Sequence, residues 1–458
     1  MTPNYSRIAV LDIGKTNGKV VVLDSATGAE IAVARTPNTV LKGGLYPHYD
    51  IDRLWSFTLD ALRSFAREPG FDAISITTHG ASAALLDRAG NLAMPVLDYE
   101  HEYPEDISDA YARLRPPFEE TFSPHQTMGL NIGAQLHYQK TAFPDDFAKV
   151  ATILTYPQYW TARLTGITSN EVTSLGCHTD LWNPRDARYS SLVDTLGIRD
   201  LMAPIRSAFD PLGPVLPDIA EVIGLTREIP VYCGIHDSNA SLLPHLLDRP
   251  APFAVVSTGT WVINFGVGGD LDHLDPKRDT LANVDAYGRA VPSSRFMGGR
   301  EYETISGEIG QVDKEKVASA VEQAITKRLM LLANVAPGSG PFPGKSARWV
   351  NAQGVTPEER YAALCLYLAM MNQACLDLIG ARGPVIVEGP FALNDTYLTL
   401  LAALTNREVI AVPGSTGTSQ GAALLTGIKP PAGAERRVTR SPVSGLDAYR
   451  RAWHAAMA

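Results

Sequence analysis

Cysteine is scarce in this chain: four residues in 458, at Cys177, Cys233, Cys365 and Cys375, with no C-x-x-C pair. That excludes a disulfide framework and predicts reduced, buried thiols in a cytoplasmic setting. Excess positive charge is also missing. Lysine and arginine number 40 against 49 acidic residues, a net charge of −9, and no basic run occurs. Nucleic acid and anionic membrane surfaces both demand clustered cations, so neither is an expected partner. No stretch approaches the roughly 18 uninterrupted apolar residues of a membrane span. The opening Met1-Thr-Pro-Asn-Tyr-Ser-Arg7 has no apolar segment of signal-peptide length ahead of the first strand pattern.

What remains is an ordinary globular composition, 45% apolar and 19% charged. At roughly 100–200 residues per domain, the length predicts about two to four domains. Two β-branched runs, 8–11 and 20–23, flank the turn Asp12-Ile-Gly-Lys-Thr-Asn17 and read as a hairpin with Asp12 at the end of its first strand. Spacing of Leu54, Phe57, Leu62 and Phe65 predicts a helix over 52–65. Residues 73–77 read as a strand, and 84–86 with 93–97 as a second hairpin around Asp87–Asn91. A helix over 156–164 stops at Gly166, and a strand over 230–233 runs into Gly234-Ile-His-Asp-Ser-Asn239.

The proline-dense stretch 244–252 reads as a linker. Beyond it the opening pattern returns: a β run from Phe253, the turn Ser257-Thr-Gly-Thr-Trp261, and a second β run to Phe265. Two strand–turn–strand units, each opening half the chain, predict a duplicated α/β architecture. Helices are expected over 314–332, 358–380, 395–404 and 419–425, strands over 384–388 and 409–412, and a polar tail over 427–458 with one helical piece near its end.

Gly14-Lys-Thr16 looks like the end of a P-loop, but Ala9 stands where the first glycine belongs and 20–23 continues as strand rather than helix. A hairpin turn can still take phosphate. Gly14 permits close backbone approach, and Lys15, Thr16 and Asn17 offer donors. Asp12 beside them, acceptor-only when ionised, would repel phosphate without a divalent cation between, which implies Mg²⁺. The alternative is an ordinary polar hairpin. Thr258, Gly259 and Thr260 form the matching second turn. Asp237, just past a strand end, suits a general base or a helix cap. His79, also at a strand end, suits a structural hydrogen bond or a site.

Taken in order, these pieces resemble the FGGY family of carbohydrate kinases. The carriers are Asp12-Ile-Gly-Lys-Thr-Asn17, Thr78-His-Gly80 with Leu85-Leu-Asp-Arg-Ala-Gly90, Tyr159-Trp-Thr-Ala-Arg-Leu-Thr-Gly166, Gly234-Ile-His-Asp-Ser238, Ser257-Thr-Gly-Thr-Trp261, and Val387-Glu-Gly-Pro-Phe391 with Gly421-Ala-Ala-Leu-Leu425. The resemblance implies two ribonuclease-H-like domains of the actin-like ATPase kind, 1–246 and 252–458, with ATP and sugar in an interdomain cleft. It implies Asp12 on the Mg²⁺ side, phosphate turns at Lys15–Asn17 and Thr258–Thr260, adenosine near Gly389, and Asp237 as catalytic base. Sugar contacts fall to His79, Gly80, Asp98, His236 and Asp237.

Two departures stand out. The adenosine loop reads Glu388-Gly-Pro-Phe391, where Pro390 removes a backbone donor. The family's sugar-binding segment is replaced by Leu97-Asp-Tyr-Glu-His-Glu102. The His-Asp-Ser form of the base motif looks most like kinases of 6-deoxyketoses such as L-rhamnulose and L-fuculose, with xylulose and ribulose next. A non-catalytic actin-like ATPase and a sugar-sensing pseudokinase are the rival classes. Expected partners are a small sugar and, at most, a second copy of the chain as a homodimer.

Overall fold

A computed structural model of the chain describes residues 5–414, 417–429 and 434–457. Positions 1–4 of the opening segment, and 430–433 and 458 of the expected tail, lie outside the described residues. Among the described residues the chain divides into two compact units. Residues 5–249, 282–290 and 417–429 form the first, and 250–281, 291–414 and 434–457 the second. Segments 282–290 and 417–429 thus depart from a contiguous division near 246–252.

In the first unit β1 (Arg7–Ile13), β2 (Asn17–Asp24) and β3 (Glu30–Pro37) make an antiparallel meander. Residues 8–11 and 20–23 are buried at every position, as strands covered on both faces require. Helix α1 (Ile51–Arg67) starts at Asp50, whose side chain accepts from the Arg53 amide, and buries Leu54, Leu62 and Phe65. It leads into β4 (Ala73–Thr78), which lies parallel to β1.

The run after β4 departs from the expected hairpin. Strand β5 (Ala83–Leu86) pairs with β6 (Thr152–Thr155), and 93–97 contributes no strand. The expected hairpin survives only as a bridge between Leu86 and Leu92 and a bond from the Ala93 amide to the Leu85 carbonyl at 2.8 Å, while β6 supplies the full-length partner of the buried β5. Helix α2 (Tyr156–Thr165) ends at Gly166 with φ of 74°, a left-handed cap that glycine adopts without steric cost. A single turn, α3 (Val172–Leu175), follows. Strands β7 (Pro211–Pro214) and β8 (Pro230–Tyr232) complete the sheet order β7-β8-β4-β1-β2-β3, and β9 (Ile235–His236) adds in parallel to the end of β4.

The expected linker is in large part a helix. α4 runs Asp237–Asp248 with Pro244 inside it. Proline there costs one backbone bond, the one to the Ala240 carbonyl. The helix Thr418–Ala423 passes at this point. A Cβ at Gly421 would lie 1.8 Å from the Ala240 oxygen, so only glycine permits the approach. Ala422, Ala423, Leu424 and Leu425 then join Ile8, Val10, Val21 and Leu23 in one buried cluster.

The second unit repeats the pattern. Strands β10 (Phe253–Thr258), β11 (Val262–Val267) and β12 (Ala290–Phe296) form a meander, followed by α5 (Gly298–Ile309) and α6 (Lys314–Lys327). Helix α7 (Pro357–Leu378) opens on a capping box between Thr356 and Glu359. It is long and apolar enough to cross a bilayer, yet Leu364, Leu366, Leu368 and Met371 place it at the centre of this unit's core. Strand β13 (Val385–Glu388), helix α8 (Asp395–Thr405) and strand β14 (Val409–Val412) follow, with β13 parallel to both β10 and β14.

In the expected polar tail the helical piece near its end is present as a helix, and a strand precedes it. Strand β15 (Arg436–Val438) pairs with β14, and α9 (Leu446–Met457) buries Trp453, whose Nε1–H donates to the Leu331 carbonyl at 2.7 Å. The order β12-β11-β10-β13-β14-β15 mirrors β3-β2-β1-β4-β8-β7. In both, a meander is followed by two parallel strands and an antiparallel edge.

Candidate functional site

In the first unit, register brings the candidate residues together. Asp12 lies opposite Thr77, and Thr78 lies opposite both Ile13 and His236. Three adjacent parallel strands therefore end at one level, and Asp12, His79 and Asp237 leave them side by side, where open α/β sheets place ligands.

Asp12 is half-buried. Its Oδ2 accepts from Thr418 Oγ1 at 2.6 Å and Ser419 Oγ at 2.7 Å, and Lys19 Nζ lies 3.8 Å away. Burial pushes its carboxyl above the ordinary aspartate value and the nearby Asp237 charge adds to this, against the two hydroxyls and Lys19. Both hydrogen bonds fall on Oδ2. Among the described residues no group of three or more His, Cys, Asp or Glu could hold a metal. A single carboxylate still fits Mg²⁺, which keeps most of its water and takes its other ligands from phosphate.

The turn after β1 is closed by Gly14 N–H on the Asn17 carbonyl at 2.9 Å. Thr16 and Asn17 are exposed there. Lys15, expected in the phosphate turn, instead puts its ammonium on Asp98 and, at 3.2 Å, on Glu100. It also lies 4.7 Å from the Tyr99 ring centre and 5.2 Å from that of Tyr49. Asp98 is buried and accepts from the Glu100 amide at 3.2 Å, so Lys15 and the departing segment 97–102 form one unit.

His79 is buried among Tyr49, Tyr99 and Tyr156, at ring distances of 5.3, 5.3 and 4.9 Å. Among the described residues neither ring nitrogen has a partner. Burial pushes its imidazole down to about 3, so it is neutral at any ordinary pH. Gly80 is glycine for space: a Cβ would lie 2.6 Å from the His236 ring.

His236 Nε2 lies 3.1 Å from Asp237 Oδ1. Asp237 opens α4, and its Oδ1 also accepts the Ser238 amide at 2.6 Å and the Ser238 hydroxyl at 3.2 Å. Burial alone would raise this carboxyl. His236 and the Ser238 amide outweigh it and hold Asp237 below the usual aspartate range. The start of a helix favours the same charge. The result is a half-buried carboxylate, ionised and oriented, beside an imidazole ring with two unused nitrogens.

The second unit holds Thr258, Gly259, Thr260 and Gly389. Gly259 and Thr260 are exposed and line a cavity of about 540 Å³ together with Tyr302, Phe391, Leu393 and Asn394. Thr258 is buried, and its hydroxyl is committed: it donates to the Glu388 carbonyl at 2.5 Å and accepts the Phe391 amide at 3.1 Å. Gly389 has φ of 76°, and a Cβ there would lie 2.1 Å from the Thr258 oxygen. Both residues thus shape the turn rather than face the cavity. Leu393, 71% exposed, stands at its rim, and Tyr302 packs edge-on to Phe391 at 5.7 Å. That is an apolar platform of the kind a planar base takes. Pro390 opens a short turn over Pro390–Leu393, where its missing donor costs nothing.

Sequence reading missed Thr418 and Ser419 on Asp12, the tyrosines around His79, and the Lys15–Asp98 pair. Each joins residues far apart in the chain, and a single sequence carries no signal for that.

Comparison with known proteins adds two family models. The model described as "FGGY family of carbohydrate kinases, N-terminal domain" matches residues 7–244, and "Carbohydrate kinase FGGY, C-terminal domain" matches 250–435. An L-fuculokinase from Salmonella typhi is 27% identical over 273 residues, covering 58% of this chain and 57% of that protein. A rhamnulokinase from Halalkalibacterium halodurans is 24% identical over 267 residues, covering 56% and 55%. The matched stretch thus spans little more than half the length of these curated relatives. A crystal structure of a carbohydrate kinase from Novosphingobium aromaticivorans is 37% identical, covers 98% of this chain and 100% of its own, and superposes with a TM-score of 0.91.

Proposed function

Because the chain belongs to the FGGY family of carbohydrate kinases, with its two-unit α/β fold of the actin-like ATPase superfamily, we propose that it transfers the γ-phosphoryl group of ATP to a terminal hydroxyl of a ketose. A 6-deoxyketohexose of the L-fuculose or L-rhamnulose kind is the first candidate, in keeping with the activities named for two relatives. A pentulose such as xylulose or ribulose is the second.

The observation that carries the proposal is Asp237, an ionised carboxylate fixed by His236 and Ser238, beside an imidazole whose two buried nitrogens lack partners. Asp237 accepts the proton of the sugar hydroxyl as its oxygen attacks the γ-phosphorus. The bond from that phosphorus to the β-bridging oxygen breaks, and ADP leaves. Such transfer asks a protein for positioning and charge neutralisation more than for covalent chemistry. His79 orients sugar hydroxyls, and Asp98, held by Lys15, accepts from another. Thr16, Asn17, Gly259 and Thr260 supply phosphate donors, and the cavity at Tyr302 and Phe391 takes the base. Asp12 would hold Mg²⁺, which when bound neutralises charge on the transferring phosphate.

ADP release measured over L-rhamnulose, L-fuculose, L- and D-xylulose, D-ribulose and glycerol tests the proposal. One deoxyketose should stimulate turnover far above the rest. Sugar-independent turnover would assign the chain to the actin-like ATPases that take no sugar substrate, and no MgATP binding by calorimetry would make it a pseudokinase. His79→Phe keeps the ring packing but removes both nitrogens. The sugar KM should rise about tenfold, the scale of one buried hydrogen bond, with the ATP KM unchanged. Since the imidazole of His79 charges only as pH falls through about 3, that ratio should stay constant across neutral pH. A ratio that collapses between pH 6 and 8, on the scale of an ordinary histidine, would count against the neutral role.

A further inference from the structure

Asp237 follows His236 directly, so whatever fixes the backbone at 236 aims the carboxylate. The His236 amide opens α4, where helix geometry provides no partner for it. Instead it donates to Thr173 Oγ1 at 3.1 Å. Thr173 is fully buried and sits in α3, 63 positions away in sequence. Its own hydroxyl hydrogen is committed to Glu171 Oε2, and its amide donates to both Glu171 oxygens at 3.0 Å.

Glu171 is 0% exposed, and those same bonds from the Thr173 amide are what cap α3. A carboxylate with no exposure and no lysine or arginine partner is costly. Burial accordingly pushes its carboxyl up to about 7, with Thr173 and His236 acting in the opposite direction. Capping a single helical turn is a small return for that cost, since serine or asparagine caps without burying charge. The chain of bonds has a direction. Glu171 orients the Thr173 hydroxyl so that its lone pair faces the His236 amide, and His236 in turn meets Asp237 through Nε2.

We infer that Glu171 and Thr173 are positioning residues for Asp237, acting through the Thr173 hydroxyl on the backbone of His236. The inference rests on the base assignment above. Neither residue needs to touch the sugar, so their loss acts on turnover rather than on binding. Misplacement of a reacting group by about 1 Å costs on the order of 10²-fold in rate.

Thr173→Val preserves shape and removes the hydroxyl. It should lower kcat by about 10- to 100-fold, with sugar KM and sugar affinity by calorimetry within about twofold of wild type. Thr173→Ser, which restores the hydroxyl, should recover kcat to within about threefold. A role confined to packing predicts a different pattern, in which serine, lacking the methyl group, is the worse variant. Wild-type kcat in T173V, or a T173S defect as large as that of T173V, overturns the inference. Should T173V fail to fold, Thr173→Ala, which differs from T173S by the hydroxyl alone, carries the test: kcat should fall relative to T173S with sugar affinity retained, and equal kcat in the two overturns the inference. Asp237→Asn measured in parallel separates the two claims. An inactive D237N beside a fully active T173V removes the positioning role alone. An active D237N removes the base assignment and this inference with it.

Discussion

Asp237→Asn should leave MgATP binding intact and lower turnover by at least about 10²-fold, the usual contribution of a general base. The substitution is nearly isosteric. The asparagine oxygen can still accept the Ser238 amide, now 2.6 Å from Oδ1, so the start of α4 need not move. What is lost is the charge that His236 and the helix terminus stabilise. An amide cannot take the hydroxyl proton, and the sugar oxygen must attack while still protonated. Sugar affinity should change little, because the carboxylate works on the proton in flight. Turnover close to wild type in D237N would remove Asp237 from the role.

Asp12→Asn should raise the Mg²⁺ concentration for half-maximal rate by at least about tenfold and lower kcat by about 10²-fold, on the scale of lost metal ligation. Here too the conservative variant separates chemistry from folding. An asparagine oxygen can still accept from Thr418 and Ser419, which hold the carboxylate at 2.6 and 2.7 Å. The melting temperature should therefore stay near that of wild type, whereas Asp12→Ala removes both bonds and lowers stability as well. A Mg²⁺ titration identical to wild type in D12N would end the metal-side assignment.

Both effects fall on residues legible in the sequence, and the reason is local. Asp12 ends a β-branched run at a polar, glycine-containing turn, and Asp237 lies in the polar string that follows the short strand 230–233 and Gly234, patterns a few residues long. The antiparallel strands at 8–11 and 20–23 were legible for the same reason, since their turn lies between them. Pairings over distance were not. Ala83–Leu86 looks like half of a hairpin because a turn follows, but beyond one bridge across that turn its pairing is with Thr152–Thr155. Lys15 looks like a phosphate donor until Asp98, 83 positions on, is seen to hold it. Thr258 looks like a ligand hydroxyl until Glu388 and Phe391 claim it. Composition misled in the last 30 or so residues, where charged side chains at the surface mask the wholly buried Trp453.

The glycine-bearing helix near position 421 has one more implication, for how the molecule is made. Ribosomes deliver the amino-terminal unit first, but its apolar patch at Ile8, Val10, Val21 and Leu23 is covered partly by Tyr232, Ile235, Ala240 and Leu243 and partly by residues 422–425, made after most of the second unit. A nascent chain released at residue 249 would carry part of that patch uncovered, and a gene cut there would yield a sticky, half-finished product. The late-synthesised plug commits the polypeptide to complete both units before either is sealed.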